Sequence, residues 1–181
     1  MARRRGNSAT DRGRSGGRPT RLSWSILTLG GALAAYVAFN MATGLNAPVR
    51  QATAEATVWL FNLLGGNASL NNTIISAQNA RFIVVNDCTP VGVVLLAGGA
   101  VLASPVTLSW KAIGLAATAF GLVALNFLRL VSLVFLGTVA PEQLDTVHLL
   151  VWQPVMVLAA IAAWFLWYLR AERALRQASA S

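Results

Sequence analysis

The stretch IGLAATAFGLVALNFLRLVSLVFL, residues 113–136, decides the fold, because Arg129 is its only charged residue. A helix needs roughly 20 consecutive apolar residues to cross a hydrocarbon core, and this run exceeds that. Placing an arginine in such a span costs about 2.5 to 3.5 kcal/mol on insertion scales, so Arg129 is expected to face a protein interior or a wet cavity and to have a partner there. Asn126 and Ser132 stand one helical turn to either side of it and share its face. At 1.5 Å per residue Arg129 lies about 24 Å from the start of the span, in its far part.

Three more stretches are apolar enough to span: Leu22 to Leu45, Pro90 to Leu108 and Leu149 to Leu169, the second being the shortest, with its end near Pro105. The chain is 56% hydrophobic and 11% charged, against about 25% charged in soluble domains. The expected fold class is therefore all-α: a multi-pass transmembrane helical bundle of about four spans, with the lipid bilayer as its main partner.

A net charge of +8 raises the question of nucleic acid, but the basic residues cluster at the ends of the apolar segments. Arg3, Arg4, Arg5, Arg12, Arg14, Arg18 and Arg21 precede the first span, Lys111 lies between the second and third, and Arg170, Arg173 and Arg176 follow the fourth. Only Arg50 and Arg81 lie in the opposite loops. The positive-inside rule then puts both termini in the cytoplasm and the loops 46–89 and 137–148 outside, with no role for nucleic acid. Residues 1–21 read as a disordered basic cytoplasmic tail, 22–170 as the transmembrane domain and 171–181 as a second cytoplasmic tail. The first apolar run is longer than a signal-peptide core and no small-residue cleavage site follows, so an uncleaved anchor is expected.

The outer loop 46–89 divides in two. Ala52 to Leu64 is helix-compatible, with Val58, Trp59, Phe61, Leu63 and Leu64 apolar; being too short to span, it is expected at the outer interface. Asn67 to Asp87 is Asn-rich and then β-leaning through Arg81–Val85, which reads as a loop and a short extended piece leading into Cys88.

Cys88 and His148 are the only cysteine and histidine in the chain. In Asp87-Cys88-Thr89-Pro90-Val91-Gly92 the cysteine stands just ahead of an apolar run, with Thr89 placed to cap the helix and Pro90 at its first turn. Unpaired N–H groups there favour a thiolate; Asp87 opposes this unless its carboxylate is turned away. His148 opens the last span on the same side, and a neutral imidazole is the usual base for a thiol nucleophile. Asp145, three residues upstream, is placed to orient the ring. Topology thus brings a nucleophile, a cation and a base into one outer layer. One His and one Cys make a poor metal ligand set, so no metal or cofactor is expected. A Gly-x-Ser-x-Gly motif is missing, which disfavours an intramembrane serine protease.

Over about residues 80–170 the chain resembles the exosortase/archaeosortase family of multi-pass membrane cysteine transpeptidases. The resemblance is carried by Val85-Asn-Asp-Cys88-Thr-Pro-Val-Gly-Val93, by Asn126-Phe-Leu-Arg129-Leu-Val131, and by His148 opening the last span. It implies catalysis by Cys88, Arg129 and His148: the cysteine attacks a peptide bond in the C-terminal sorting signal of an exported protein, a short motif followed by a span and a basic tail. His148 moves the proton, Arg129 steadies the thiolate or the oxyanion, and a surface acceptor or water releases the thioester. Many members carry Gly two residues after the cysteine where this chain has Pro90, and larger members have about twice as many spans. The competing reading is a non-catalytic four-helix membrane assembly factor or transporter subunit in which Arg129 pairs with a partner's carboxylate.

Overall fold

The structure is a computed structural model that describes residues 21–78 and 80–178. Apart from Arg21, the expected basic tail lies outside the described residues. The first span, α1 (Arg21–Met41), ends at Ala42 and turns at once into α2 (Thr43–Leu63). Asn46 makes this turn: buried, it donates from Nδ2 to the carbonyls of Phe39 and Asn40 at 3.4 and 3.3 Å, satisfying acceptors that the end of α1 leaves open. The interfacial segment expected over 52–64 is thus the second half of a longer helix. Its inward stripe is Thr53, Ala54, Thr57 and Phe61, while Trp59 and Leu63 stay exposed.

Residues 68–83, expected as a loop and one extended piece, form a three-stranded antiparallel meander instead. Its strands are β1 (Ala68–Asn71), β2 (Ile74–Ala77) and β3 (Ala80–Ile83), in the order β1-β2-β3. Asn72 and Gln78 take the positive φ values, 60° and 51°, that two-residue hairpin turns require. Ala68, Ile75 and Ala77, with Val84 just past β3, pack on Ala54 and Phe61 of α2 and on Val134 of the long helix that follows. The sheet is thereby seated on one end of the bundle.

After a 3-10 turn at Asn86–Cys88 comes α3 (Val91–Ala103), 13 residues long, which stops at Ser104-Pro105 because proline denies the preceding residues a helical continuation. Its glycines bring it against α1: a Cβ on Gly99 would lie 2.6 Å from Cβ of Ala32, and one on Gly92 would lie 2.7 Å from the Tyr36 ring. Close backbone approach of this kind holds helices together in lipid, where burial of apolar surface gives little drive.

The segment that decided the fold lies within α4 (Leu108–Val139), 32 residues, whose buried stripe runs Gly114, Thr118, Leu122, Asn126, Arg129, Leu130, Leu133, Val134, Gly137. The chain returns through Pro141–Gln143, a single helical turn α5 (Leu144–Thr146), a π turn at Val147–Trp152 and α6 (Gln153–Ala178). At the end away from the sheet, Trp167 Nε1 donates to Trp110 O at 3.0 Å and Trp164 Nε1 to Ser104 Oγ at 3.1 Å. These bonds clamp α6 to the α3–α4 connection.

Three helices are long and apolar enough to cross a membrane, Ser23–Met41, Leu108–Val139 and Pro141–Ala178, and α3 adds a shorter apolar helix. Large side chains such as Phe120 and Leu150 point outward, as lipid-facing positions of a multi-pass bundle do.

Candidate active site

The start of α3, the second half of α4 and the start of the last helical segment converge beneath the sheet, and each brings one of the three residues singled out in the sequence. Arg129 is 5% exposed and Asn126 is 0% exposed. Both sit on the inward stripe of α4 because they fall one turn apart on it.

Arg129 meets its partner there. Its Nη2 lies 2.5 Å from His148 Nε2, and its Nη1 donates to the backbone carbonyl of Asp87 at 3.4 Å. A guanidinium only donates, so Nε2 is the acceptor and the ring carries its proton on Nδ1. Asn126 donates from Nδ2 to the carbonyl of Cys88 at 2.9 Å. α4 therefore holds the cysteine turn by two main-chain carbonyls, Asp87 and Cys88, and the histidine by its ring. Ser132, the other neighbour on this face, bonds back to Arg129 O at 2.7 Å and stays within its own helix.

Two local expectations are corrected. Thr89 does not cap α3: its Oγ1 donates to Asn86 O at 2.7 Å, closing the 3-10 turn, and Pro90 takes the cap position. Asp145 makes no hydrogen bond to His148, whose ring is held by Arg129 instead.

Cys88 is a free, half-buried thiol. It opens onto a cleft of about 240 Å³ that His148 and Asp145 also line, walled by Arg81–Val85 on one side and by Leu130, Leu133 and Val134 of α4 on another. No hydrogen bond joins the thiol to the imidazole; they share the cleft. A second cleft, about 350 Å³, lies between α1, α3, α4 and α6, lined by Tyr36, Asp87, Asn126, Arg129 and Gln153 among others; Arg129 lines this cleft and not that of Cys88. Asp87 lines this second cleft and not the first. Asn126 Oδ1 and Arg129 Nε are buried with no partner. A buried amide oxygen and a guanidinium N–H left unpaired are costly unless something else meets them.

The π turn at Val147–Trp152 sets the angle at which His148 enters. Its cause is in the sequence: Pro154 has no N–H to give and its ring crowds the carbonyl four residues back, so the preceding turn widens. Other site residues carry no signal of their own. Asn86 Nδ2 donates to Asn40 Oδ1 at 3.2 Å, tying the cysteine turn to the end of α1, and Tyr36 and Gln153 enter only as lining.

A thiol, an imidazole and a buried guanidinium in one layer, beside largely apolar clefts, is an arrangement suited to acyl transfer. A family model described as transmembrane exosortase matches residues 14–166. No curated protein and no solved structure matches the chain.

Proposed function

The chain belongs to the transmembrane exosortase family, and from that premise we propose that it is a cysteine transpeptidase that cuts the C-terminal sorting signal of exported proteins through a thioester on Cys88. The family supports a membrane sorting role in general. The observation that carries the finer reading is the Arg129–His148 contact in a bundle that also sets Cys88 on the cleft of His148.

The resting contact gives the steps their order. While Arg129 caps Nε2, the lone pair that would take the thiol proton is occupied. A substrate carbonyl entering beside Cys88 is a better partner for the guanidinium once negative charge develops on it. As Arg129 turns to that oxygen, Nε2 is released and accepts the Sγ proton. The thiolate attacks the carbonyl carbon; the C–N bond then breaks, and the imidazolium returns its proton to the leaving amine. The acyl group remains on Sγ as a thioester until an amine on a surface acceptor, or water, displaces the thiol.

The site is proposed to face the cell exterior, with both termini in the cytoplasm, on the strength of the basic residues at the opposite end of the spans. Pairing of Arg129 with a partner protein's carboxylate is disfavoured by its burial within its own bundle.

The test is an exported reporter that ends in a short motif, an apolar span and an Arg-rich tail, expressed with the wild type and with Cys88→Ala. Cutting by the wild type, with a hydroxylamine-sensitive enzyme–reporter adduct that Cys88→Ala lacks, supports the reading. Normal cutting by Cys88→Ala at equal enzyme levels overturns it.

A further inference from the structure

We propose that the free edge of β3 is the docking strand for substrate: the extended segment just before the scissile bond adds to the sheet as a fourth strand, parallel to β3, and so arrives at Cys88. This rests on the catalytic reading above and names how that site recognises its peptide.

The hydrogen-bond phase of the sheet makes the edge available. Val84 N donates to Thr73 O at 2.9 Å, and Ile75↔Phe82 and Ala77↔Ala80 are registered pairs two residues apart along the same ladder. The N–H and C=O groups of Ala80, Phe82 and Val84 therefore face β2. By the alternation of antiparallel pairing, those of Arg81 and Ile83 face the other way. Among the described residues no strand pairs with that side, since β3 ends the sheet. The cleft of Cys88 and His148 runs along this strand, with five consecutive residues, Arg81 to Val85, in its wall, and continues under the sheet to Ile75 and Val134. Ile83 is 64% and Val85 44% exposed. Main-chain donors and acceptors spaced two residues apart are met by another extended chain and by little else.

The direction follows from the order of elements. From Ala80 the enzyme runs as extended strand, cysteine turn and then apolar helix α3. A sorting signal runs in the same order: extended motif, scissile bond, span. Laid side by side with the bond at Cys88 and both helices entering the same membrane, the two chains are parallel. The second cleft, between α1, α3, α4 and α6, then receives the residues that follow the bond.

Two variants test this with the reporter described above. Ile83→Pro removes an outward N–H while leaving the β2–β3 bonds intact, a place where an edge strand tolerates proline. We expect about a tenfold fall in kcat/KM, carried by KM, as for loss of one ladder bond, with the maleimide reactivity of Cys88 unchanged. A photo-crosslinking phenylalanine analogue placed at Arg81, and separately at Ile83, is expected to capture the reporter upstream of its cut site, Arg81 capturing a residue nearer the N-terminus than Ile83 does. These adducts decide the matter where the proline variant fails to fold. Adducts in the reverse order, adducts only to a second copy of the enzyme or to lipid, or no adducts while Cys88→Ala leaves the reporter uncut, overturn the docking strand and leave the catalytic reading standing. Normal cutting by Cys88→Ala overturns that reading, and the docking strand with it.

Discussion

Arg129 and His148 are bound to each other, Nη2 to Nε2, so the one acceptor nitrogen of the imidazole is occupied until something comes between them, while the guanidinium keeps Nε unpaired. Removing either partner therefore has a different consequence. His148→Ala loses proton transfer and is expected to slow acylation by about 10² to 10⁴. Arg129→Lys keeps the charge but not the planar fork, and is expected to cost about 10² to 10³ in kcat. Single-turnover adduct formation with the reporter measures both; wild-type rates for Arg129→Lys would remove the oxyanion role.

Asn126 acts on Cys88 through the backbone. Asn126→Leu deletes the donor to Cys88 O and leaves that carbonyl unpaired inside the bundle. A loss of about 1 to 3 kcal/mol of stability is expected, together with a changed rate of Cys88 labelling by maleimide in detergent. An unchanged labelling rate would make Asn126 a packing residue only.

Pro154 offers a case where helix propensity and activity part. Pro154→Ala restores an N–H and removes the crowding, so the thermal midpoint is expected to stay or rise. Regularising the π turn takes one residue out of register and swings the preceding segment by about 100° about the helix axis. His148 would leave Arg129, and turnover is expected to collapse. Full activity in a folded Pro154→Ala protein would show that the π turn does not aim the histidine.

Gly114 and Gly137 are a matched pair on α4. An added Cβ would meet the Trp167 ring at 2.3 Å in the first case and the Phe82 ring at 2.3 Å in the second. Overpacking typically costs about 1 to 3 kcal/mol, so Gly114→Ala and Gly137→Ala should lower the thermal midpoint alike. Only the second displaces β3, and only it is expected to slow cutting of the reporter.

The orientation is checked in intact cells. A membrane-impermeant maleimide added from outside is expected to label Cys88. Labelling only after the cells are opened would reverse the assignment of both termini to the cytoplasm.

The helical frame was legible because lipid imposes a simple rule, long apolar runs with costly exceptions, and Arg129 is such an exception, buried against His148. The sheet was not legible. Its strands are four residues each, and the turns at Asn72 and Gln78 looked like an Asn-rich loop, although asparagine is well suited to the positive φ that the first of them adopts. The inward alternation Ile75, Ala77 is too short to stand out, and it acquires meaning only against Ala54, Phe61 and Val134, far away in sequence. The same holds for Thr89, whose hydroxyl could accept from an N–H of the first turn of α3 or donate to a carbonyl behind it; the 3-10 turn decided for Asn86 O. Asp145 lost His148 to Arg129, a partner nineteen positions away whose orientation depends on how α4 packs.

The 13 residues of α3 make a helix about 20 Å long, whereas a hydrocarbon core is about 30 Å thick. The far end of α3 is held through Ser104 to Trp164, and Cys88 stands just ahead of its other end. On the proposed reading, a membrane pinched around the cysteine, or water following it down, would lower the barrier to presenting a peptide bond that directly adjoins a span. Hydrophobic mismatch would then control the proposed reaction: in vesicles of lengthening acyl chain, turnover is expected to fall while the fold persists.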